Sequence, residues 1–390
     1  MKKYFFSFLL SIFFISCLRE PQELSPGSFT KDNGNRWTII VYMNGDNSLS
    51  DYTNIDINEM EMGIFDGVDI IVLQDRKAIG ARILKVVKDD NPNSLNSIEL
   101  TATINSKNFG PGVYPEVNML DKNTLSGFID YCILNFKADR YALVVWSHSD
   151  GWRTNKAITS DDDSAPATSF LSNSDIASVV ATRPISVVSF DSCLEGTLEN
   201  VWEFKKSGYN GILIASPNNV PGSGWNYYDF LKRFEESYKR EFDFAQVAIE
   251  SYKKTYSFYY NRVSLSAFYL PYLNQSVFSS FFTELKNNAN TSGFFNDLSH
   301  TYWDTYEVWS FGAHIDFYES ITRSNLSTKN SVLNNLKSFI IYSWDSVKGD
   351  SYKGISIIDA KSTTYYTYYT NNIGLASDTD WNEALSARSW

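Results

Sequence analysis

From Arg36 to about Asp229 the chain alternates short apolar runs with amphipathic stretches. Trp37-Thr-Ile-Ile-Val-Tyr-Met43 and Asp69-Ile-Ile-Val-Leu-Gln74 read as buried strands, and Ala81 to Lys88 is placed to pair with the second as a hairpin edge. Leu125, Phe128, Ile129, Cys132, Ile133 and Phe136 recur at the helical period and form one stripe. Tyr141 to Ser147, Ile185 to Asp191 and Gly211 to Ala215 are three further strands. Helices are expected between them, near Ser174 to Thr182 and from Leu194 to Lys206. Continuous β-branched runs alternating with helices predict an α/β fold: a mostly parallel sheet covered by helices on both faces.

After Asp229 the pattern is less regular. Phe242 to Tyr256, Leu270 to Leu285 and Asn330 to Val347 have helical periodicity, and Ile355 to Ala360 reads as a strand. The Tyr-rich segment Thr363 to Thr370 reads as a partly exposed edge. The expected organisation is a sheet-and-helix core over 36–229 and a C-terminal α+β companion subdomain over 230–390.

The first residues follow a different rule. Lys2 and Lys3 precede an apolar run from Tyr4 to Ser16, too short to span a bilayer. The run ends in Phe14-Ile15-Ser16-Cys17, which resembles a bacterial lipobox, although Phe14 stands where Leu is usual. Residues 1–17 are therefore expected to be a lipoprotein signal with Cys17 as the lipidated residue. Residues 18–35 carry Pro21, Pro26, Gly27 and Gly34 and read as a tether. An exported, membrane-anchored protein at the cell surface or periplasmic face follows.

Composition narrows the function. The formal charge is −11 and no Lys/Arg cluster occurs, so nucleic acid is not an expected partner. Aromatic residues make up 16% of the chain, which argues against disorder and points to a Tyr-rich exterior. Only Cys17, Cys132 and Cys193 are present, so disulfides are not the stabilising strategy. Zinc, phosphate-loop, dinucleotide and Gly-x-Ser-x-Gly signatures are absent. No cofactor is required by the sequence. Asp161-Asp162-Asp163-Ser164 leaves calcium possible, but it lacks EF-hand spacing and a closing Glu, and a solvated acidic loop is the preferred reading.

The candidate chemistry lies at strand ends, where open parallel sheets bind ligands. His148 follows one strand and Cys193 the next. Cys132 sits on a helical core stripe, whereas Cys193 can meet an imidazole that favours its thiolate. A helix opening at Leu194 would favour an anion there as well. Asp191 shares a strand face with Cys193 and reads either as a substrate-binding carboxylate or as the cap of that helix.

These segments resemble the clostripain family of cysteine peptidases. The resemblance rests on Trp37–Asn47, Leu143–Trp152, Phe190–Gly196 and Ala215–Trp225, and more weakly on Lys353–Ile358 and Trp381–Leu385. It implies a caspase-like sheet, shared with gingipains and legumains, with His148 as base and Cys193 as nucleophile. It also implies an oxyanion site from the backbone N–H groups of Cys193 and Ser149, where Ser149 replaces the usual Gly. An Asp at the position of Asp191 implies cleavage after Arg, with Lys second. Pro217-Asn218-Asn219 departs from the family's acidic pair. Relatives are often cleaved between the His and Cys segments; Arg153, Lys156 and Arg183 lie in that interval, with Arg183 before a hindering Pro184. Protein or peptide substrates are the expected partners, together with a membrane through the lipid anchor. The alternative is a catalytically inactive surface lipoprotein acting as a binding module or adhesin.

Overall fold

The computed structural model describes residues 35–149, 161–162, 170–259, 261–296, 313–350, 352–360, 369–371 and 373–388. Cys17, the signal, the tether up to residue 34, Arg153, Lys156, Asp163 and most of the Tyr-rich 363–370 segment lie outside them.

The strands are β1 (Trp37–Gly45), β2 (Val68–Arg76), β3 (Gly80–Lys85), β4 (Ile98–Glu99), β5 (Ala102–Ile104), β6 (Lys107–Phe109), β7 (Arg140–Trp146), β8 (Ile185–Asp191), β9 (Ile212–Ala215), β10 (Ser264–Tyr269), β11 (Ala313–Asp316), β12 (Ile340–Asp345) and β13 (Ser356–Asp359). Nine of them form one sheet in the order β12-β10-β9-β8-β7-β1-β2-β3-β4. Its centre, β9-β8-β7-β1-β2, is parallel. The edge strands pair antiparallel on both sides. The expected α/β class is therefore the observed one.

Alternation along each strand divides the core into two layers. In β1, Ile40 and Tyr42 face one layer, while Ile39, Val41 and Met43 face the other. The first layer is closed by α2 (Lys122–Asn135), α3 (Asn173–Val180) and α4 (Leu198–Lys206), which contribute Phe128, Cys132, Ile176, Val180 and Val201. The second is closed by α1 (Ser50–Gly63), α5 (Tyr227–Glu236) and α6 (Glu241–Tyr256), with Ile57, Met60, Phe230, Phe234 and Phe244. Phe230 and Phe244 meet edge to face with centroids 4.8 Å apart, a geometry that favours aromatic pairs beyond their buried area.

Several expectations need correction. The helix expected from Leu194 begins at Leu198, because Thr197 accepts a hydrogen bond from the Asn200 N–H and caps it. The helix expected over 330–347 ends at Phe339, and Ile340-Ile-Tyr-Ser-Trp-Asp345 is a strand. That run is rich in β-branched and aromatic residues, and pairing with β10 settles its conformation. In Leu270 to Leu285, Pro271 falls in a 3-10 turn and the helix spans Gln275–Asn287. Among the described residues the tyrosines are divided: Tyr42, Tyr141, Tyr209, Tyr227, Tyr252 and Tyr256 are buried, while Tyr52, Tyr114, Tyr228, Tyr238 and Tyr272 are exposed.

The C-terminal part is tied to the loop that carries Cys193. The Ser356 N–H donates to the Gly196 carbonyl, and Glu199 of α4 accepts from the Ile358 N–H and the Tyr369 hydroxyl. Burial pushes the Glu199 carboxyl up to about 7, partly offset by those donors.

Candidate active site

Parallel pairing brings the two expected catalytic residues to corresponding positions. Trp146 of β7 is paired with Asp191 of β8. His148 and Cys193 each lie two residues beyond that rung, at the carboxyl ends of neighbouring strands. Such strands run about 4.8 Å apart, within the span of two side chains.

The turn carrying Cys193 is built by close backbone contacts. Leu194 has φ 62°, a conformation that costs a branched residue energy and is held only by its surroundings. Its N–H donates to the Asn218 carbonyl, and the Gly196 N–H donates to Ser216. A Cβ on Gly196 would come within 2.5 Å of the Pro217 nitrogen, so only glycine allows this approach. Asn218 also braces its own loop, through its amide to the Arg262 carbonyl and its oxygen to the Asn219 N–H. The loop that departs from the family pattern thus meets the Cys193 turn through the Asn218 backbone carbonyl.

Cys193 is half-buried. Its Sγ accepts from the Val220 N–H at 3.3 Å and lies 3.7 Å from the Val220 carbonyl. Cys132 is enclosed in the α2 stripe, and burial pushes its thiol well above the ordinary value. The low thiolate fraction makes Cys132 the inert cysteine. Across from Cys193, His148 Nε2 lies 2.7 Å from the Ser48 hydroxyl, in the loop after β1.

Ser149 does more than replace a glycine. Its hydroxyl donates to Glu195 Oε1, while Asn173 and Asn200 donate to Glu195 Oε2 at 2.9 and 3.1 Å. Glu195 is fully buried, so this network joins the histidine and cysteine loops through one carboxylate. Sequence reasoning missed Glu195, Ser48 and Val220. A glutamate two residues after a nucleophile candidate was the available signal for the first.

Asp191 is buried beneath this edge. Its Oδ2 accepts from the Trp225 N–H at 3.0 Å and the Tyr227 hydroxyl at 2.9 Å, whereas Oδ1 has no hydrogen-bond partner. Burial pushes the carboxyl up to about 6, the two donors lower it, and Glu59 nearby raises it. Gly224 lies over the carboxylate with φ 58°, and a Cβ there would sit 2.7 Å from Oδ2. Asp191 does not cap a helix at Leu194, since no helix begins there and Thr197 caps α4. A second buried carboxylate, Asp56, accepts from the Trp146 indole and is raised by burial and by Asp191.

The Asp161-Asp162-Asp163 run divides. Asp161 is buried and accepts from the Met119 N–H at 2.8 Å, while Asp162 forms an ion pair with Lys77 at 2.6 Å. Asp161 joins Asp46, Asp75 and Glu116 in a group whose carboxylate oxygens lie within 4.8 Å of one another. Sequence reasoning found only Asp161 of the four. Arg183, one of the candidate processing residues, is engaged by Asp130 through Nε and Nη2 at 2.7 Å each.

Comparison with known proteins bears on the family and the fold. The family profile described as Clostripain family matches residues 41–390. Clostripain of Hathewaya histolytica is 30% identical over 240 residues, which cover 56% of this chain and 45% of clostripain; the chain thus aligns with about half the length of that relative. The inactive zymogen of a C11 protease from Parabacteroides distasonis has a TM-score of 0.68 at 19% identity, covering 89% of this chain and 99% of that one. A secreted C11 cysteine protease from Bacteroides thetaiotaomicron, in complex with an irreversible peptide inhibitor, has a TM-score of 0.65 at 19% identity with the same coverage. These structural likenesses carry the fold, and the sequence match over nearly the whole described sheet carries the family: the chain belongs to the clostripain family of cysteine peptidases.

Proposed function

We propose that the protein is a cysteine endopeptidase that cleaves after Arg, with Lys second, through Cys193 and His148. The observation that carries this reading is the pairing of Trp146 with Asp191, which sets both reactive side chains just past one rung of the sheet. In the tautomer with Nε2 protonated, the Ser48 hydroxyl 2.7 Å away accepts that proton and Nδ1 of His148 is the basic nitrogen. In the proposed reaction His148 takes the Cys193 proton and the thiolate adds to the scissile carbonyl. The backbone N–H groups of Cys193 and Ser149 stabilise the resulting oxyanion. Its collapse expels the amine, protonated by His148, and leaves a thioester that water hydrolyses.

The Arg preference is supported by Asp191. One of its oxygens is satisfied by two donors and the other by none. A guanidinium offers the planar fork and the charge that such a half-paired carboxylate lacks, and a lysine ammonium offers the charge alone. A panel of fluorogenic peptides with Arg, Lys or a neutral residue before the scissile bond tests the reading. Arg peptides should be cleaved fastest, and Cys193→Ala should abolish turnover; full activity in that variant would refute it.

Export and anchoring belong to the same proposal. A related C11 protease is described as secreted. No helix among the described residues is long and apolar enough to cross a membrane. The Ser16-Cys17 lipobox supports attachment through a lipid on Cys17. Cys17→Ser should then move the protein out of the membrane fraction, and an unchanged distribution would count against the anchor.

A further inference from the structure

We propose that Glu195 is a positioning residue for the oxyanion site, acting through the Ser149 hydroxyl, a role that rests on the peptidase reading above. In that reading the two donors to the oxyanion are the backbone N–H groups of Cys193 and Ser149. They come from different loops, one after β8 and one after β7. The pairing of Trp146 with Asp191 fixes the strand ends but not the loops that follow. The spacing of the two donors therefore needs a contact between those loops, and Glu195 supplies one.

The carboxylate is held at both oxygens. Oε1 accepts from the Ser149 hydroxyl. Oε2 accepts from Asn173 Nδ2 at 2.9 Å and from Asn200 Nδ2 at 3.1 Å. The same Asn200 amide donates to the Glu195 backbone carbonyl at 2.8 Å. Asn173 opens α3, and Asn200 lies in the first turn of α4, where its own N–H is taken by the Thr197 cap. Two helices thus set the direction of the carboxylate before it meets Ser149. The next residue is fixed as well: the Gly196 N–H donates to the Ser216 carbonyl, and its carbonyl accepts from the Ser356 N–H. Glu195, Asn173 and Asn200 are fully buried and Ser149 nearly so. Away from water such hydrogen bonds are strong and costly to leave unmade.

Glu195 lies two residues after the nucleophile, so the loop that presents Cys193 also carries the brace for the loop that presents Ser149. An oxyanion donor works by standing in place before charge develops. Glycine at the position of Ser149 could bring only its backbone. Serine adds a hydroxyl, and Glu195 uses it to hold the residue that carries the N–H. Replacing the usual glycine thereby becomes a gain in preorganisation, provided that Glu195 is present. Fully buried, Glu195 acts through Ser149 and not on the substrate.

Three readouts on the full chain separate this role from a merely structural one, in Ser149→Ala, Glu195→Gln and the double variant. Ser149→Ala keeps the backbone N–H and deletes the hydroxyl. Glu195→Gln keeps the side chain's size but puts a donor amide in place of one acceptor oxygen. The first readout is kcat and KM for an Arg peptide. The second is inhibition by a peptide aldehyde ending in Arg, whose tetrahedral adduct with Cys193 sets its oxygen in the oxyanion site. The third is alkylation of Cys193 by iodoacetamide, in which the thiolate sulfur displaces iodide and no oxyanion forms. Each single variant should lower kcat about tenfold or more with little change in KM, since a lost oxyanion donor costs up to about a thousandfold. Aldehyde affinity should fall in proportion, while alkylation keeps its wild-type rate. The double variant should be no worse than the worse single one, as expected for two residues acting as one unit. If Glu195→Gln fails to fold, Ser149→Ala carries the test, because the deleted hydroxyl is the one that Glu195 accepts. Wild-type kcat and aldehyde affinity in Ser149→Ala would overturn the proposal. So would fully additive losses in the double variant, or an equal fall in alkylation and turnover, which would mean that Glu195 only shapes the Cys193 turn. If the wild-type protein itself neither cleaves the Arg peptide nor binds the aldehyde, the peptidase reading fails and this role with it. An active wild type with unchanged variants removes this role alone.

Discussion

Two groups of buried carboxylates sit on the same edge of the sheet and are treated differently. Asp191, at the end of β8, receives the Trp225 N–H and the Tyr227 hydroxyl on one oxygen and keeps the other unpaired. Asp75, at the end of β2, has no hydrogen-bond partner of normal geometry and stands among three more carboxylates. A buried charge without compensation is costly. Half-compensation leaves room for one more cationic group of matching shape. At Asp75 burial raises the carboxyl, and Glu116, Asp161 and Asp46 raise it further. Of the two, the half-paired carboxylate at β8 is the one proposed to meet a substrate side chain.

The contrast is sharpened most by removing the charge at β8 alone. Asp191→Asn keeps the side chain's size and an oxygen for the Trp225 N–H but loses the anion. For Arg substrates it should cost about 2 kcal/mol in kcat/KM, or about 30-fold, with neutral substrates nearly unchanged. An equal fall for both would mean that Asp191 only supports the fold. A smaller effect is expected from acidity. Burial raises the Asp191 carboxyl to about 6, so it is mostly ionised at pH 7 and mostly protonated at pH 5. The Arg-to-neutral ratio of kcat/KM should therefore fall about tenfold from pH 7 to pH 5. Taking the ratio cancels any titration of the catalytic groups shared by both substrates. A flat ratio would break the assignment of Asp191 to substrate charge.

Much of this was legible in the sequence because the central strands are buried on both faces. Their continuous apolar runs in β1, β7 and β8 gave the parallel core, and the strand ends gave His148 and Cys193. The buried position of Cys132 followed from its helical stripe. What remained hidden depends on contacts distant in sequence. Nothing local to Glu116 relates it to Asp46 or Asp75, which meet it only once β1, β2 and the β6 loop are folded. Ser48 and His148 are likewise joined across 100 residues. The strand at Ile340–Asp345 was read as helix because pairing with β10, and not its own periodicity, decides its conformation. The start of α4 was misplaced because the Cys193 turn holds Leu194 in a left-handed conformation that no neighbouring glycine signals.

The central claim, that Cys193 is the nucleophile of an Arg-directed peptidase, is tested most directly by trapping it. The protein is treated with a thiol-reactive peptide electrophile ending in Arg, and the adduct is located by mass spectrometry. The account predicts a single adduct on Cys193, none on Cys132, and slower labelling when the electrophile ends in a neutral residue. An adduct on Cys132, or peptide hydrolysis that continues with Cys193 unmodified, would contradict it.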